Sequence, residues 1–421
     1  MITGVRVNRL LALWVGIGLS LAIVLDAGSA TAKNQWRLTG SLSSDWYFLD
    51  DGTYNHTQTY NAFRASLTIP TTSTKYLLAR TNLRWRKDLD GSPTAGSQLY
   101  VYETFIQCLG VIRRTNLWVG RQFIYSNLGS ALIDGGRLQM KIRNRLQFEA
   151  FGGSQVFSAK PDEVRSISDF SMAGARLSGR IGRSTDWGLD GLLRKYDGSV
   201  SYSAVGVDVS HAHGMSQLFT QGAYDFANNR LASIRARVSV SPAKWYVSGE
   251  FIWREPVVRS NSLFSVVSFH RYKLARLGLR RTLRGSLAVD GSANLSITGR
   301  TTTLHTTLGL ASGNWGFGWR HQNGRGTSSN GAYGYANVDL SRQWSVFGNS
   351  DLSRYRVQEL QESLSDAYSA SAGISFRPGK ELTIRAEGQF LRNAINTSDL
   401  RLFLRVTKGF SVQKSAAEVR P

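Results

Sequence analysis

The chain has 421 residues, a formal net charge of +22, 42 glycines against 7 prolines, and 11% aromatic residues. Its one cysteine, Cys108, excludes an intrachain disulfide, a zinc site built mainly from cysteines and haem attachment through Cys-x-x-Cys-His. No heptad or long helical stripe is present, so the composition points to an all-β chain; a soluble protein this basic would bind nucleic acid, whereas in a barrel the same charge draws anions or faces anionic headgroups.

Residues 1–32 read as a secretory signal peptide. Arg6 and Arg9 precede an apolar run, Leu10–Leu25, and Ala30-Thr31-Ala32 places small residues before a cleavage site at Lys33. The rival reading, an uncleaved anchor, needs about 20 apolar residues, and Asp26 interrupts this run. Cleavage lowers the net charge by one.

From Lys33 onward the chain alternates apolar and polar residues in segments of about ten, the pattern of transmembrane β-strands. Trp36, Leu38, Leu42, Trp46 and Phe48 share one face. Phe63, Ala65, Leu67 and Ile69 oppose Arg64, Ser66 and Thr68; Leu77, Ala79, Leu83 and Trp85 oppose Arg80, Asn82, Arg84 and Arg86. Ile234, Ala236, Val238 and Val240 oppose Arg235 and Arg237, and Trp245, Val247, Phe251 and Trp253 oppose Ser248, Glu250 and Arg254. Near the end Leu382, Ile384, Ala386 and Phe390 oppose Arg385, Glu387 and Gln389. Successive side chains of a strand point to opposite faces, so each segment carries one oily and one charged face.

Short turns (Thr71–Thr74, Arg143–Arg145, Gly182–Asp186, Ser241–Lys244, Ser312–Asn314, Ser341–Gln343, Arg377–Lys380) tend to alternate with longer polar stretches (Asp50–His56, Asp88–Gly96, Ser154–Arg165, Glu255–Phe269, His321–Asn330, Arg354–Asp366). Short turns at one rim and longer loops at the other are the membrane-barrel arrangement. No proline falls in mid-strand, where it would remove a ladder hydrogen bond. Trp36, Trp187, Trp245, Trp315 and Trp344 stand beside short turns or open the first strand, as an aromatic girdle would. The expected organisation is a signal peptide (1–32), one closed antiparallel transmembrane β-barrel of about 18–22 strands (33–410) and a polar tail (411–421). Phe269–Thr303 resists segmentation, and Leu263–His270 is too apolar for a loop, reading either as an extra strand or as a plug.

Two stretches carry a resemblance. Asp399–Phe410, DLRLFLRVTKGF, resembles the C-terminal assembly signal of bacterial outer-membrane proteins, although a polar tail follows its aromatic residue. Tyr100–Gly153, with YVYETF, LWVGRQ, IDGG and RLQMKIRNRLQFEAFGG, resembles the bacterial porin group through Glu103, Gly120-Arg121-Gln122 and Asp134-Gly135. That resemblance implies a Gram-negative outer-membrane location, contact with outer-membrane lipid and lipopolysaccharide, insertion by the barrel assembly machinery, and a loop at Tyr125–Gly136 that folds inward to narrow the channel.

The candidate pore-lining residues are Arg64, Arg80, Arg84, Arg86, Arg121, Arg235, Arg237, Glu250, Arg254, Arg320, Arg385, Glu387 and Arg405. Cations in excess of carboxylates would concentrate anions in a water-filled lumen; the bland reading is that they pair and stiffen the wall. His211-Ala212-His213 lacks further nearby ligands and is not taken as a metal site. No Gly-x-Ser-x-Gly elbow and no P-loop ending appear, so neither an enzyme nor a cofactor is expected. The leading expectation is passive diffusion of small hydrophilic solutes with anion preference, by a single barrel or a homo-oligomer and with no nucleic-acid partner. Barrels of this size also resemble the porin component of porin–cytochrome conduits, which would make a multihaem cytochrome the partner; an outer-membrane lipid hydrolase is a distant third reading.

Overall fold

The computed structural model describes residues 36–50, 55–72, 75–90, 98–112, 114–157, 162–255, 271–299, 301–324, 327–357, 364–394 and 398–414. The expected signal peptide and Leu263–His270 lie outside them.

The described residues form 22 strands and no helix. The first six are β1 (Trp36–Asp50), β2 (Asn55–Thr72), β3 (Lys75–Asp88), β4 (Gln98–Ile112), β5 (Thr115–Ser126) and β6 (Gly129–Arg143). Next come β7 (Leu146–Val156), β8 (Ser171–Ile181), β9 (Thr185–Tyr196), β10 (Ser199–His213), β11 (Ser216–Asp225), β12 (Arg230–Val240) and β13 (Trp245–Arg254). The remainder are β14 (Tyr272–Arg284), β15 (Leu287–Thr298), β16 (Thr301–Ala311), β17 (Trp315–Gly324), β18 (Thr327–Asp339), β19 (Trp344–Val357), β20 (Ser365–Phe376), β21 (Leu382–Arg392) and β22 (Asp399–Lys414).

Each strand pairs antiparallel with the next. β22 returns to β1 in continuous register, from Trp36 opposite Lys414 to Asp50 opposite Leu400. The sheet therefore has no free edge. In hydrocarbon no water is available to satisfy backbone groups, so an open border would be prohibitive and closure removes it.

The register sorts the faces. Exposed Leu42, Trp46 and Phe48 on β1, Val205 and Val207 on β10, Leu304 and Leu308 on β16, Phe317 and Trp319 on β17, and Leu400, Leu402 and Leu404 on β22 all point outward. A wall this apolar faces lipid, and the barrel has the architecture of multi-pass β-barrels of the Gram-negative outer membrane. Trp36, Trp187, Trp245, Trp315 and Trp344 lie on this outer face at the rim holding the short turns, where Trp344 stacks on Phe376 at 4.2 Å and Trp315 on Phe317 at 6.0 Å.

Three sequence expectations change in detail. His321–Asn330 is not a long loop: β17 runs to Gly324 and β18 resumes at Thr327, because the pairing continues across polar residues. β22 extends past Phe410 to Lys414, since Ser411–Lys414 still have Trp36–Thr39 to pair with. The described residues within Phe269–Thr303 form β14, β15 and the start of β16.

Candidate functional site: the lumen wall and its inward hairpin

The alternation that turns leucine and valine outward turns the other residue set toward the lumen, and on β5–β6 this wall departs from a simple cylinder. The two strands pair as far as Ser126 opposite Gly129, and the tip of their hairpin touches the inner faces of strands well around the circumference. The Asn127 side-chain amide donates to Asp190 Oδ2 (3.3 Å, β9) and Asp208 Oδ1 (2.5 Å, β10). The Gln221 amide (β11) donates to Asn127 O at 2.8 Å, and Arg194 (β9) donates to Ser130 O at 3.1 Å. These partners alternate with the outward, exposed Leu189, Leu193, Val205 and Val207, so the hairpin lies inside the barrel.

Beneath it is an apolar core that an empty lumen would not contain. Ile124, Leu128, Ala131 and Ile133 pack on Phe151, Met172, Leu192, Tyr202, Ala204, Ala223 and Ala232. Ile133 and Met172 are fully buried, and such a side chain contributes roughly 1.5–3 kcal/mol relative to exposure. Charge completes the seam. Arg176 (β8) pairs with Asp190 and, at 2.8 Å, with Asp208, so one guanidinium and the Asn127 amide serve two carboxylates that are almost wholly covered.

The hairpin bends where glycine permits it. Gly120, Gly135, Gly136, Gly152 and Gly153 stand together across β5, β6 and β7, with Gly120 opposite Gly135 and Gly135 opposite Gly153. Gly120 has φ +125°, and a Cβ on Gly153 would sit 2.7 Å from Gly135 Cα. No other residue lets two backbones approach this closely while the strand turns inward. The stretch Tyr125–Gly136, expected as a constriction loop, is thus strand on both arms with a turn only at Asn127–Leu128.

Arg121 differs from its expectation. Its side chain is 3% exposed and faces no open water: Nε and Nη2 donate to the two oxygens of Asp134 at 2.6 and 2.7 Å, and Nη1 and Nη2 reach Val101 O and Glu163 O at 3.4 Å. It clamps the base of the hairpin, because the twist at Gly120 turns it off the alternating wall.

The other candidates fall on inward positions. Arg64, Arg80, Arg84 and Arg86 form a patch on β2 and β3, with Arg64 opposite Asn82 between Arg80 and Arg84. Arg80 reaches Glu103 at 3.3 Å, Arg84 lies 4.0 Å over the Tyr60 ring, and no ion pair is seen for Arg64 or Arg86 among the described residues. On β12–β14, Glu250 serves both Arg235 (2.6 Å) and Arg276 (3.2 Å), while Arg237 donates to Tyr246 Oη at 3.0 Å and Arg254 stands opposite Ser233. Arg320 pairs with Asp351, Arg385 with Glu387 at 3.0 Å, and Arg405 with Asp45 at 2.7 Å across the β1–β22 seam. Sequence reasoning missed Arg176, Asp190, Asp208 and Asn127. Asp190 and Asp208 do sit on the inward phase of their strands, which was the signal available. His211 and His213 stack on the outer face near the short-turn rim.

No protein-family model matches the chain, and no curated protein matches it. Among solved structures, the P pilus usher (PapC) translocation pore aligns at 11% identity over 89% of this chain and 99% of that one, TM-score 0.44. The outer membrane protein OpdK of Pseudomonas aeruginosa aligns at 10% over 90% and 99%, TM-score 0.41, and a BenF-like porin of Pseudomonas fluorescens Pf-5 at 10% over 90% and 99%, TM-score 0.42. The chain is a closed, porin-like β-barrel of 22 strands with a hairpin folded into its lumen.

Proposed function

We propose that the barrel is a passive diffusion channel for small hydrophilic solutes, anion-preferring, with no catalytic role. One observation carries this reading: outside the arc covered by the hairpin, guanidinium groups outnumber the carboxylates that face them. Glu250 is shared by two arginines, and Arg64, Arg84, Arg86, Arg237 and Arg254 have no carboxylate partner among the described residues. Water-facing cations inside low-dielectric walls raise the local anion concentration, and the hairpin brings the solute path closer to them. The hairpin also counts against a sheath for a multihaem cytochrome, since it fills lumen space such a partner would need.

The test is the reversal potential of the purified chain in planar bilayers under a salt gradient. Anion preference is expected at 0.1 M salt and weakens at 1 M, where the Debye length falls from about 10 Å to about 3 Å. A current carried mainly by cations at low salt ends the anion reading, and absence of any conductance ends the channel reading.

A further inference from the structure

At the rim of longer connections, on the lumen side, His56 is the second residue of β2 and β3 closes on Asp88, with Asp90 two residues beyond. His56 Nε2 lies 3.2 Å from Asp88 Oδ2, and His56 Nδ1 lies 3.5 Å from Asp90 Oδ2. One ligand atom from each residue fits within 4.8 Å of the other two. The Asp88 side chain is 2% exposed. Its Oδ1 accepts from the Asp90 backbone N–H at 3.2 Å, but its Oδ2, which points at the imidazole, accepts no hydrogen bond.

The reason lies in the neighbours. Tyr60 Oη donates to Gln58 Oε1 at 2.8 Å, which turns the Gln58 amide nitrogen toward His56 Nε2. An amide N–H can only donate, so Nε2 presents its lone pair. That lone pair accepts from Gln58, so the ring offers no Nε2 donor to Asp88 Oδ2, 3.2 Å away, and a metal ion at Nε2 takes the place of the Gln58 N–H. A buried carboxylate oxygen without a donor is costly, and a cation bound to it removes that cost. The other polar contact is the Thr57 backbone N–H, which donates to Asp90 Oδ2.

We propose that His56, Asp88 and Asp90 bind a divalent transition-metal ion at the loop-side mouth of the barrel. One imidazole with two carboxylates suits Zn²⁺ and similar ions, whereas Ca²⁺ and Mg²⁺ favour all-oxygen shells. Bound there, the ion ties the start of β2 to the segment leaving β3. The site adjoins the arginine patch, Arg86 being the next inward residue to Asp88 on β3, and it does not depend on solute selectivity.

The experiment is calorimetric titration of the chelator-treated full chain in detergent with Zn²⁺ at pH 7.5. One equivalent is expected to bind, with affinity falling at least about tenfold in His56→Ala and in Asp88→Asn. Millimolar Ca²⁺ or Mg²⁺ should not displace it. Asp90→Asn, at an exposed position, is expected to weaken binding too and keeps the test open if Asp88→Asn fails to assemble, as judged by heat-shifted gel mobility. Absence of Zn²⁺ uptake by the parent chain overturns the proposal. So does undiminished uptake in His56→Ala, or loss of uptake in a His211→Ala/His213→Ala variant instead.

Discussion

Two arcs of one inner wall have been built for different neighbours. From β7 to β11 the inward positions carry Phe151, Met172, Leu192, Ala204 and Ala223, and two of the acidic groups among them, Asp190 and Asp208, are closed over by Arg176 and Asn127. On β1–β3 and β12–β22 the same phase of the strand carries arginines half open to water: Arg80, Arg276, Arg280 and Arg405 have side chains more than half exposed. The covered arc behaves like the core of a small globular protein turned inside out, with apolar packing and fully engaged charges. The open arc is an electrostatic surface in contact with solvent. An identical backbone pattern serves both, so an inward-facing residue is defined by what lies in front of it as well as by its place in the alternation.

The largest effect on this contrast should come from removing the hairpin. Replacing residues 122–133 with a short Gly-Ser link uncovers Met172 and Leu192 and clears the lumen; single-channel conductance is expected to rise several-fold, and an unchanged value would mean that the hairpin does not restrict the path. Next is charge reversal on the open arc. Arg64→Glu/Arg84→Glu/Arg86→Glu should move the reversal potential toward cations at 0.1 M salt while changing conductance less than hairpin removal does. Weaker still, Asp190→Asn/Asp208→Asn strips the covered arc of the partners of Arg176 and loosens the tip at Asn127; more frequent flicker is expected in single-channel records, with mean conductance shifted by less than about twofold. The mildest is Arg84→Ala, which removes one cation and its contact with Tyr60 and should lower anion preference slightly, leaving conductance within about 20%.

The faces of β1–β3, β12, β13, β21 and β22 were legible because their two sides differ sharply in polarity. The same logic failed on β14–β16. Thr302 and Thr306 point out while Thr303 and Thr307 point in, and Leu274 faces the lumen while Lys273 and Arg281 face outward, so the contrast that marks a period of two is erased. The inward placement of the hairpin came from the porin resemblance. Its seat was not legible, because Leu192 and Ala204 on an inward phase look like noise until something is known to cover them. The glycine pairs of IDGG and FGG were visible as letters, but their meaning as a crease needed the register that sets Gly135 against Gly153. Arg121 was named through the porin resemblance of Gly120-Arg121-Gln122, and its burial needed the turn in the backbone at Gly120, which the letters do not show.

The meeting of β1 with β22 has a consequence for biogenesis. Arg405 and Asp45, 360 residues apart, hydrogen-bond across it, and Phe410 stacks on Phe63 over the backbone of Gly40. Loop-closure entropy is therefore settled at the most distant contact the fold contains. A nascent chain lacking either partner would present two raw borders to the bilayer, so the cell gains nothing from a half-made cylinder, and losing the final strand should be as damaging as losing the first.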